Sequence, residues 1–244
     1  MMALLLPFAL WSQDANALIR DARDLEARFR EQEALNKYLE VLILQPDHIV
    51  ALCKASELYN TTGKRHSDKD QQKACYRASL DYARKALAVN GNNAEANFVM
   101  SIAMGRLAMM ASGEEKIKAV KDIRRYAERA IQLDPNGYKA YHVLGKWHYE
   151  VSNLSSLERW LVKVTYGALP KASFADAVKC YEKSRSLNPA LLINYLEEAK
   201  ARQKNNDPEK AKELLRTISR LPDASADDAL IRKEARELLN KWSS

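Results

Sequence analysis

The stretch from Tyr141 to Pro189 decides the fold of this chain. It opens with Tyr141-x-x-Leu144-Gly145-x-x-His148 and continues with Ala177-x-x-x-Tyr181-x-x-Ser184-x-x-x-x-Pro189. Small residues let two antiparallel helices approach closely, large residues fill the gaps between them, and a proline stops the second helix. The stretch therefore predicts a helix–turn–helix unit.

The same pattern recurs along the chain and is the signature of tetratricopeptide repeats. The second-helix pattern also occurs at 34–46, 79–91 and 123–135, and a weaker copy lies at 211–218. Laid end to end, the predicted repeats cover 15–48, 49–93, 94–137, 138–191 and 192–225, followed by a last helix over 226–242. We predict an all-α fold, a tetratricopeptide-like solenoid of about five helix–turn–helix repeats with a C-terminal capping helix. Because each repeat buries its face on its neighbours, we expect one continuous domain over 13–244.

The three inner repeats are longer than the outer two. Counted from these boundaries, the outer repeats have the standard 34 residues and the inner ones have 45, 44 and 54. We expect the extra residues of the second and third repeats to be divided between both helices, with 61–70 at a hairpin tip. In the fourth repeat they predict an extra short helix that packs on the hairpin or covers the groove. Its apolar residues are Leu154, Leu157, Trp160, Leu161 and Val164.

Composition favours helices and offers no catalytic signature. Seven Gly and seven Pro in 244 residues are few, as expected for helices. The sequence lacks HExxH, GxGxxG, P-loop, CxxC and GxSxG motifs. His142 and His148 are six residues apart, which places them on different helix faces rather than together as a metal pair. We therefore predict no enzyme activity and no catalytic, cofactor-binding or metal site.

The net charge of +7 is spread along the chain, with basic residues interleaved with acidic ones. This pattern is typical of a solvated helix face. The alternative is an electrostatic surface for an acidic protein tail or an anionic lipid. Nucleic acid is not favoured as a partner because no series of stacking aromatic residues accompanies the charge.

The repeat register also predicts which residues line a binding groove, because the first helices of such arrays face the concave side. The predicted groove residues are Glu57, Asn60, Phe98, Ile102, Lys139, His142, Lys146, Tyr149, Leu196, Lys200 and Gln203. The middle of this set is apolar and its C-terminal half is basic. Such a lining suits an acidic peptide or an anionic lipid. Ordinary solvated or self-packed positions are the alternative interpretation.

The first twelve residues stand apart from the repeats. Residues 1–11 form an uncharged apolar run of signal-peptide core length, too short to span a bilayer. The run lacks a basic leader, but it predicts a signal or anchor and hence a periplasmic or secreted protein. The alternative is a flap packed on the repeats of a cytoplasmic or cytoskeletal protein.

Three cysteines are too few to define a disulfide framework. Cys53 and Cys75 each lie eleven residues from Lys64, the middle of the proposed hairpin tip, so antiparallel helices place them at similar height. Facing each other also needs the right rotation, which the sequence does not give. Whether the two are bridged stays open.

The insertion in the fourth repeat carries a second signature. Its residues are Tyr149, Val151, Ser152, Leu154, Ser155, Glu158, Arg159 and Pro170, followed by Ala177 and Tyr181 on the second helix and by Leu221-Pro222-Asp223 and Asp228 near the C-terminus. In these residues the chain resembles the regulator of microtubule dynamics family. The resemblance implies a non-enzymatic adaptor associated in animals with microtubules, and in one branch with membrane tethering and phospholipid binding. It implies no catalytic residues.

Together these observations predict a non-catalytic adaptor or scaffold that binds a protein segment in its groove. Microtubules are expected as a partner only if the chain lies in a eukaryotic cytosol. A phospholipid-binding or membrane-tethering repeat protein is the alternative, with Phe98, Ile102 and the insertion helix sheltering acyl chains while Lys146 and Lys200 meet the head group.

Overall fold

The fold is built from α-helices alone over the part of the chain that the structure describes. A computed structural model describes the backbone of residues 6–243 and the side chains of residues 14–243. Twelve helices and no strand occur in this range, which confirms the predicted all-α, tetratricopeptide-like repeat architecture. The chain divides into two compact units, residues 1–110 and 111–244.

The first unit contains five helices in which α1 pairs with α2 and α3 pairs with α4. The helices are α1 Leu6–Ala27, α2 Glu31–Leu44, α3 Ile49–Gly63, α4 Lys69–Val89 and α5 Ala94–Met110. Small and large residues alternate in the core between α1 and α2, where Ala22, Ala34 and Tyr38 have no exposed surface. This is the packing that the repeat signature predicts.

The hairpin of α3 and α4 is held by two buried serines. The hydroxyl of Ser56 donates to the carbonyl of Ser79 at 2.8 Å, and the hydroxyl of Ser79 donates to the carbonyl of Ser56 at 2.9 Å. Two such short side chains allow the helix backbones to approach closely. This pair therefore sets the register of the hairpin.

The register rules out the Cys53–Cys75 bridge that the sequence left open. No disulfide bond joins any of the three cysteines, all of which lie in the described range. Cys75 packs against Gly63, where an added Cβ would lie 2.8 Å from the Cβ of Cys75. Cys53 is ten residues earlier on α3, about 15 Å along the helix. The similar height expected from the sequence was wrong because the turn is centred later than Lys64.

The extra residues of the inner repeats are not divided evenly between the two helices. α4 and α6 have 21 residues each, against 15 for α3 and 17 for α5. In the repeat of standard length, α10 has 13 residues and α11 has 11. Most of the added length is therefore in the second helices. The turn covers only 64–68 of the polar stretch, because Asp68 caps α4 by accepting the backbone N–H of Asp70 at 2.7 Å.

The second unit contains seven helices. They are α6 Gly113–Leu133, α7 Tyr138–Ser152, α8 Ser156–Tyr166, α9 Phe174–Leu187, α10 Leu192–Lys204, α11 Pro208–Ile218 and α12 Asp228–Ser243. α7 packs on α9 and α10 packs on α11, while α12 covers α11 as the predicted capping helix. The extra helix predicted in the fourth repeat is α8. Ser155 and Glu158 form a capping box at its N-terminus.

The boundary between the two units lies inside the third predicted repeat, since α5 belongs to one unit and α6 to the other. The single continuous domain over 13–244 therefore stays a prediction.

The predicted signal or anchor segment lies mostly outside the description of the structure. Residues 1–5 are outside the described residues, and the backbone of residues 6–12 continues α1 toward the N-terminus. No helix in the described range is long and apolar enough to cross a membrane. Cleavage or anchoring at residues 1–12 stays a prediction.

The stretch that decides the fold packs as its pattern predicts. Ala177, Tyr181 and Ser184 on α9 have no exposed surface, and Leu144 on α7 is buried. A Cβ added at Gly145 would lie 2.9 Å from the ring of Tyr181. The glycine is therefore needed for the close approach of α7 and α9.

We expect Gly145→Ala to lower the free energy of unfolding by about 1–3 kcal/mol, because the new methyl group must displace a ring that is fully buried. Gly105→Ala is the matched control in α5, since nothing lies within 4 Å of its added Cβ. The better helix propensity of alanine should raise stability there by up to about 1 kcal/mol. Urea denaturation followed by circular dichroism measures both changes. Equal stability of the two variants would contradict the packing role of Gly145.

Candidate functional site

The candidate site is a row of alternating charges on three neighbouring helices of the second unit, which we call the charge ladder. Its members are Glu150 and Lys146 on α7, Glu197 and Lys200 on α10, and Glu234 on α12. The ammonium of Lys146 lies 3.0 Å from Glu150 and 2.7 Å from Glu197. That of Lys200 lies 3.0 Å from Glu197 and 2.8 Å from Glu234. The ladder therefore ties α7, α10 and α12 together.

The central carboxylate is buried but stays ionised. Burial raises the pKa of Glu197, but the ammonium groups of Lys146 and Lys200 outweigh this effect and hold its pKa below the ordinary 4.5. Burial lowers the pKa of both lysines, and Glu197 reverses the shift so that each pKa ends above the ordinary 10.5. All three groups are therefore charged at neutral pH. Removing one partner of such a buried set leaves an uncompensated charge, which is strongly destabilising.

The ladder changes the electrostatics that the sequence predicted. Lys146 and Lys200 were expected to form the basic end of a groove, yet they share one carboxylate and each contacts a second one. Three carboxylates and two ammonium groups leave a net charge of −1 over the five residues. The side chains of Glu150 and Glu234, at the two ends, are 57% and 49% exposed. The side chain of Lys146 is 43% exposed and that of Lys200 is 20% exposed, so the accessible charge is mixed, with two carboxylates and one ammonium group.

His142 belongs to a hydrogen-bonded junction beside the ladder. Its Nδ1 lies 2.9 Å from Oδ1 of Asn194, whose Nδ2 donates to the carbonyl of Tyr181 at 2.8 Å. Because a carbonyl only accepts, the orientation of Asn194 is fixed and its oxygen accepts from Nδ1–H of His142. Burial lowers the pKa of His142. The neutral imidazole therefore links α7, α9 and α10.

The other predicted groove residues of the second unit are packed to different extents. Leu196 has no exposed surface and lies in the core, so it does not line a groove. The ring of Tyr149 packs at 5.7 Å from that of Phe174, and the ammonium of Lys146 lies 5.6 Å from the Tyr149 ring centroid. Lys139 and Gln203 are half-buried.

The predicted groove residues of the first unit are mostly engaged in its own packing. Phe98 is buried, and Ile102 is half-buried. Asn60 is buried too, and its Oδ1 accepts from Nε of Arg106 at 2.9 Å. Glu57 lies 3.6 Å from Lys54. The apolar middle predicted for the groove therefore includes a core residue, Phe98.

Sequence reasoning missed the three carboxylates of the ladder. Two of them had a local signal, since Glu150 follows Lys146 by four residues and Glu197 precedes Lys200 by three, the spacings at which helix side chains meet. Glu234 had none, because its contact with Lys200 depends on how α12 packs. In the described residues no group of three or more His, Cys, Asp or Glu side chains is placed to hold a metal ion.

The insertion helix α8 does not bury the stripe that the sequence predicts. None of its residues is buried, while Val162 within the helix and Leu154 just before it are half-buried. The exposed fractions of Leu157, Trp160, Leu161 and Val164 are 66%, 58%, 48% and 65%. α8 touches α6 only lightly. The expected packing on the hairpin was wrong because this helix meets too little of its neighbours to cover its apolar side.

We expect Glu197→Gln to lower the free energy of unfolding at pH 7 by about 1–3 kcal/mol, because it removes the charge that both lysines share. The folded-state pKa of Glu197 lies below its unfolded value, so its contribution is complete above about pH 5 and is lost as the pH falls through the folded pKa. The difference in free energy of unfolding between wild type and Glu197→Gln should therefore become smaller in acid. Urea denaturation of both proteins at several pH values measures this difference.

The control for this prediction is Glu209→Gln on α11, whose carboxylate is 80% exposed beside Lys212. It should change stability by less than about 0.5 kcal/mol at any pH. If the difference in free energy of unfolding between wild type and Glu197→Gln were the same at pH 7 and in acid, the electrostatic role of Glu197 would be contradicted.

Comparison with known proteins identifies the family of the chain. The family model described as Regulator of microtubule dynamics protein 1-3 matches residues 18–243. Regulator of microtubule dynamics protein 1 of Caenorhabditis elegans is 25% identical over 209 residues, covering 86% of this chain and 91% of the relative. Regulator of microtubule dynamics protein 3 of Xenopus laevis is 27% identical over 179 residues, covering 72% of this chain. The match spans only 39% of the Xenopus protein.

Solved structures support the fold alone. TTC0263, a thermophilic TPR protein of Thermus thermophilus, has a TM-score of 0.67 at 13% identity and covers 91% of this chain and 98% of its own. The pilF protein of Pseudomonas aeruginosa has a TM-score of 0.56 at 17% identity, covering 95% and 90%. The fold, together with the family match over residues 18–243, confirms the resemblance seen in the insertion. The chain belongs to the regulator of microtubule dynamics protein 1-3 family.

Proposed function

We propose that this chain is a non-catalytic adaptor that binds a protein segment on the charge ladder of its second unit. The ladder carries the proposal because it joins two first helices, α7 and α10, to the capping helix α12, and first helices line the concave side in arrays of this kind. Its outer carboxylates are exposed, while its centre is fixed by buried ion pairs. Such a surface is preorganised, so that a ligand does not have to order it.

The ladder favours a segment that carries lysine or arginine. An acidic segment, the ligand suggested by the sequence, must take the ammonium groups of Lys146 and Lys200 away from Glu197, which burial makes costly. A basic side chain meets Glu150 or Glu234 without that cost. We therefore propose a linear segment of mixed charge with at least one basic residue.

Microtubules, or proteins bound to them, are the proposed source of the segment. The relatives of this chain from Xenopus laevis and Caenorhabditis elegans bear the name of regulators of microtubule dynamics. A partner of this kind requires a cytoplasmic chain in a eukaryotic cell. Export through residues 1–12 is the competing prediction.

A phospholipid held in the groove has less support than a protein segment. The proposed head-group ligands, Lys146 and Lys200, are already paired with carboxylates. Phe98, proposed to shelter acyl chains, is buried in the first unit. Lipid binding in the groove is therefore tested as the alternative. Mass spectrometry of the purified protein shows whether phospholipid co-purifies with it.

The test is selection of linear peptides from a displayed random library by the full chain, followed by fluorescence anisotropy of the selected peptides. We expect enrichment of Lys or Arg and about tenfold weaker binding by Glu150→Ala with Glu234→Ala, since each lost charged contact costs roughly 0.5–1 kcal/mol. Glu209→Ala with Glu213→Ala on α11 is the matched control, because these carboxylates are 80% and 62% exposed on a second helix. Unchanged affinity of the ladder variant would refute the proposed site.

A second measurement separates the partner from the site. Co-sedimentation with assembled microtubules should pellet the wild-type chain and less of the Glu150→Ala, Glu234→Ala variant. If the chain binds the selected peptides but does not pellet, the microtubule partner is wrong and peptide binding stands. Co-purified phospholipid that the peptides displace would favour the lipid alternative.

A further inference from the structure

We propose that α8 is a membrane-docking helix that inserts its apolar stripe into the surface of an anionic bilayer. The stripe consists of Leu157, Trp160, Leu161 and Val164, spaced three and four residues apart so that they share one face. Each is about half exposed or more, and no residue of α8 is buried. This inference uses a different surface from the charge ladder and does not rest on the proposed function.

The stripe is a ridge of large apolar side chains that are 48% to 66% exposed. Four bulky apolar side chains on consecutive turns are costly to leave in water, and such a patch marks an interaction site. The helix itself is held independently of the stripe. Ser155 accepts the backbone N–H of Glu158 at 3.2 Å, and the Glu158 carboxylate accepts from the backbone N–H of Ser155 at 2.7 Å. The structure therefore keeps α8 helical while its stripe faces solvent.

Charge next to the stripe matches an anionic surface. Within α8 the basic residues are Arg159 and Lys163, and the single acidic residue is Glu158, which gives a net charge of +1. Glu158 is occupied by the capping box. By helical spacing Lys163 borders the stripe beside Trp160. Basic residues flanking a stripe that contains tryptophan are typical of helices that lie in the membrane interface.

A second copy of the chain explains the stripe less well. α8 has eleven residues and is therefore about 16 Å long. Two such ridges packed on each other bury far less than the roughly 1,200 Å² of a stable protein interface. A bilayer needs no complementary groove, because acyl chains adapt to any apolar ridge. Weak, reversible binding that depends on anionic lipid follows from so short a helix.

The experiment is flotation of the full chain with phosphatidylcholine vesicles, with and without phosphatidylserine. We expect binding to the phosphatidylserine vesicles that high salt weakens, and about tenfold weaker binding for Leu157→Glu. The matched control is Leu230→Glu on α12, since Leu230 is 69% exposed, close to the 66% of Leu157. It should float like the wild type. Circular dichroism checks that both variants fold.

The fluorescence of Trp160 gives an independent signal. We expect a blue shift of tryptophan emission with phosphatidylserine vesicles that is absent from Trp160→Phe, although this variant still floats. Equal flotation of Leu157→Glu and wild type would overturn the proposal. This result is also the one expected if residues 1–12, and not α8, bind the membrane. A dimer that Leu157→Glu converts to monomer, with no flotation of either, would overturn it in favour of a second copy. Peptide binding unchanged in Leu157→Glu shows that the two surfaces are separate.

Discussion

The close approach of paired helices across small residues is the constraint on which the rest of the structure depends. At Gly145 the ring of Tyr181 occupies the space where a Cβ would lie, so the distance between α7 and α9 is set by a missing side chain. Ser56 and Ser79 fix α3 against α4 in the same way. Lys146 directly follows Gly145, and the carbonyl of Tyr181 anchors Asn194 of α10. The helix contact therefore also places the charge ladder.

Two adjacent buried carboxylates then fix the rotation of α10. Glu197 forms ion pairs with Lys146 and Lys200, whereas Glu198 forms ion pairs with Arg185 at 2.8 Å and with Arg202 at 2.9 Å. A buried carboxylate without a partner is very costly, so α10 cannot turn without losing one of the two sets. The ion pairs thus contribute specificity to the arrangement of α7, α9, α10 and α12. That arrangement leaves the outer carboxylates and Lys146 of the ladder open to a ligand and buries Glu197.

Particular residues show how far sequence reasoning reaches. Ala177, Tyr181 and Ser184 are buried as their spacing indicates, and α8 forms where the stripe of apolar residues predicts an extra helix. The direction of that stripe was not predictable, because helical spacing says which residues share a face and not what the face meets. The predicted basic groove failed for a similar reason. Lys146 and Glu197 are 51 residues apart, and nothing local pairs them.

The sequence by itself determined the helices, the helix pairs within each unit and the family, because these depend on spacings within one or two helices. Only the tertiary structure decided the charge of the candidate site, that Cys53 and Cys75 are not bridged, and the exposure of α8. Each of these depends on the register and rotation of helices that are distant in sequence. Register and rotation are set by packing at a few contacts such as Ser56 with Ser79, where small shifts change which side chains meet.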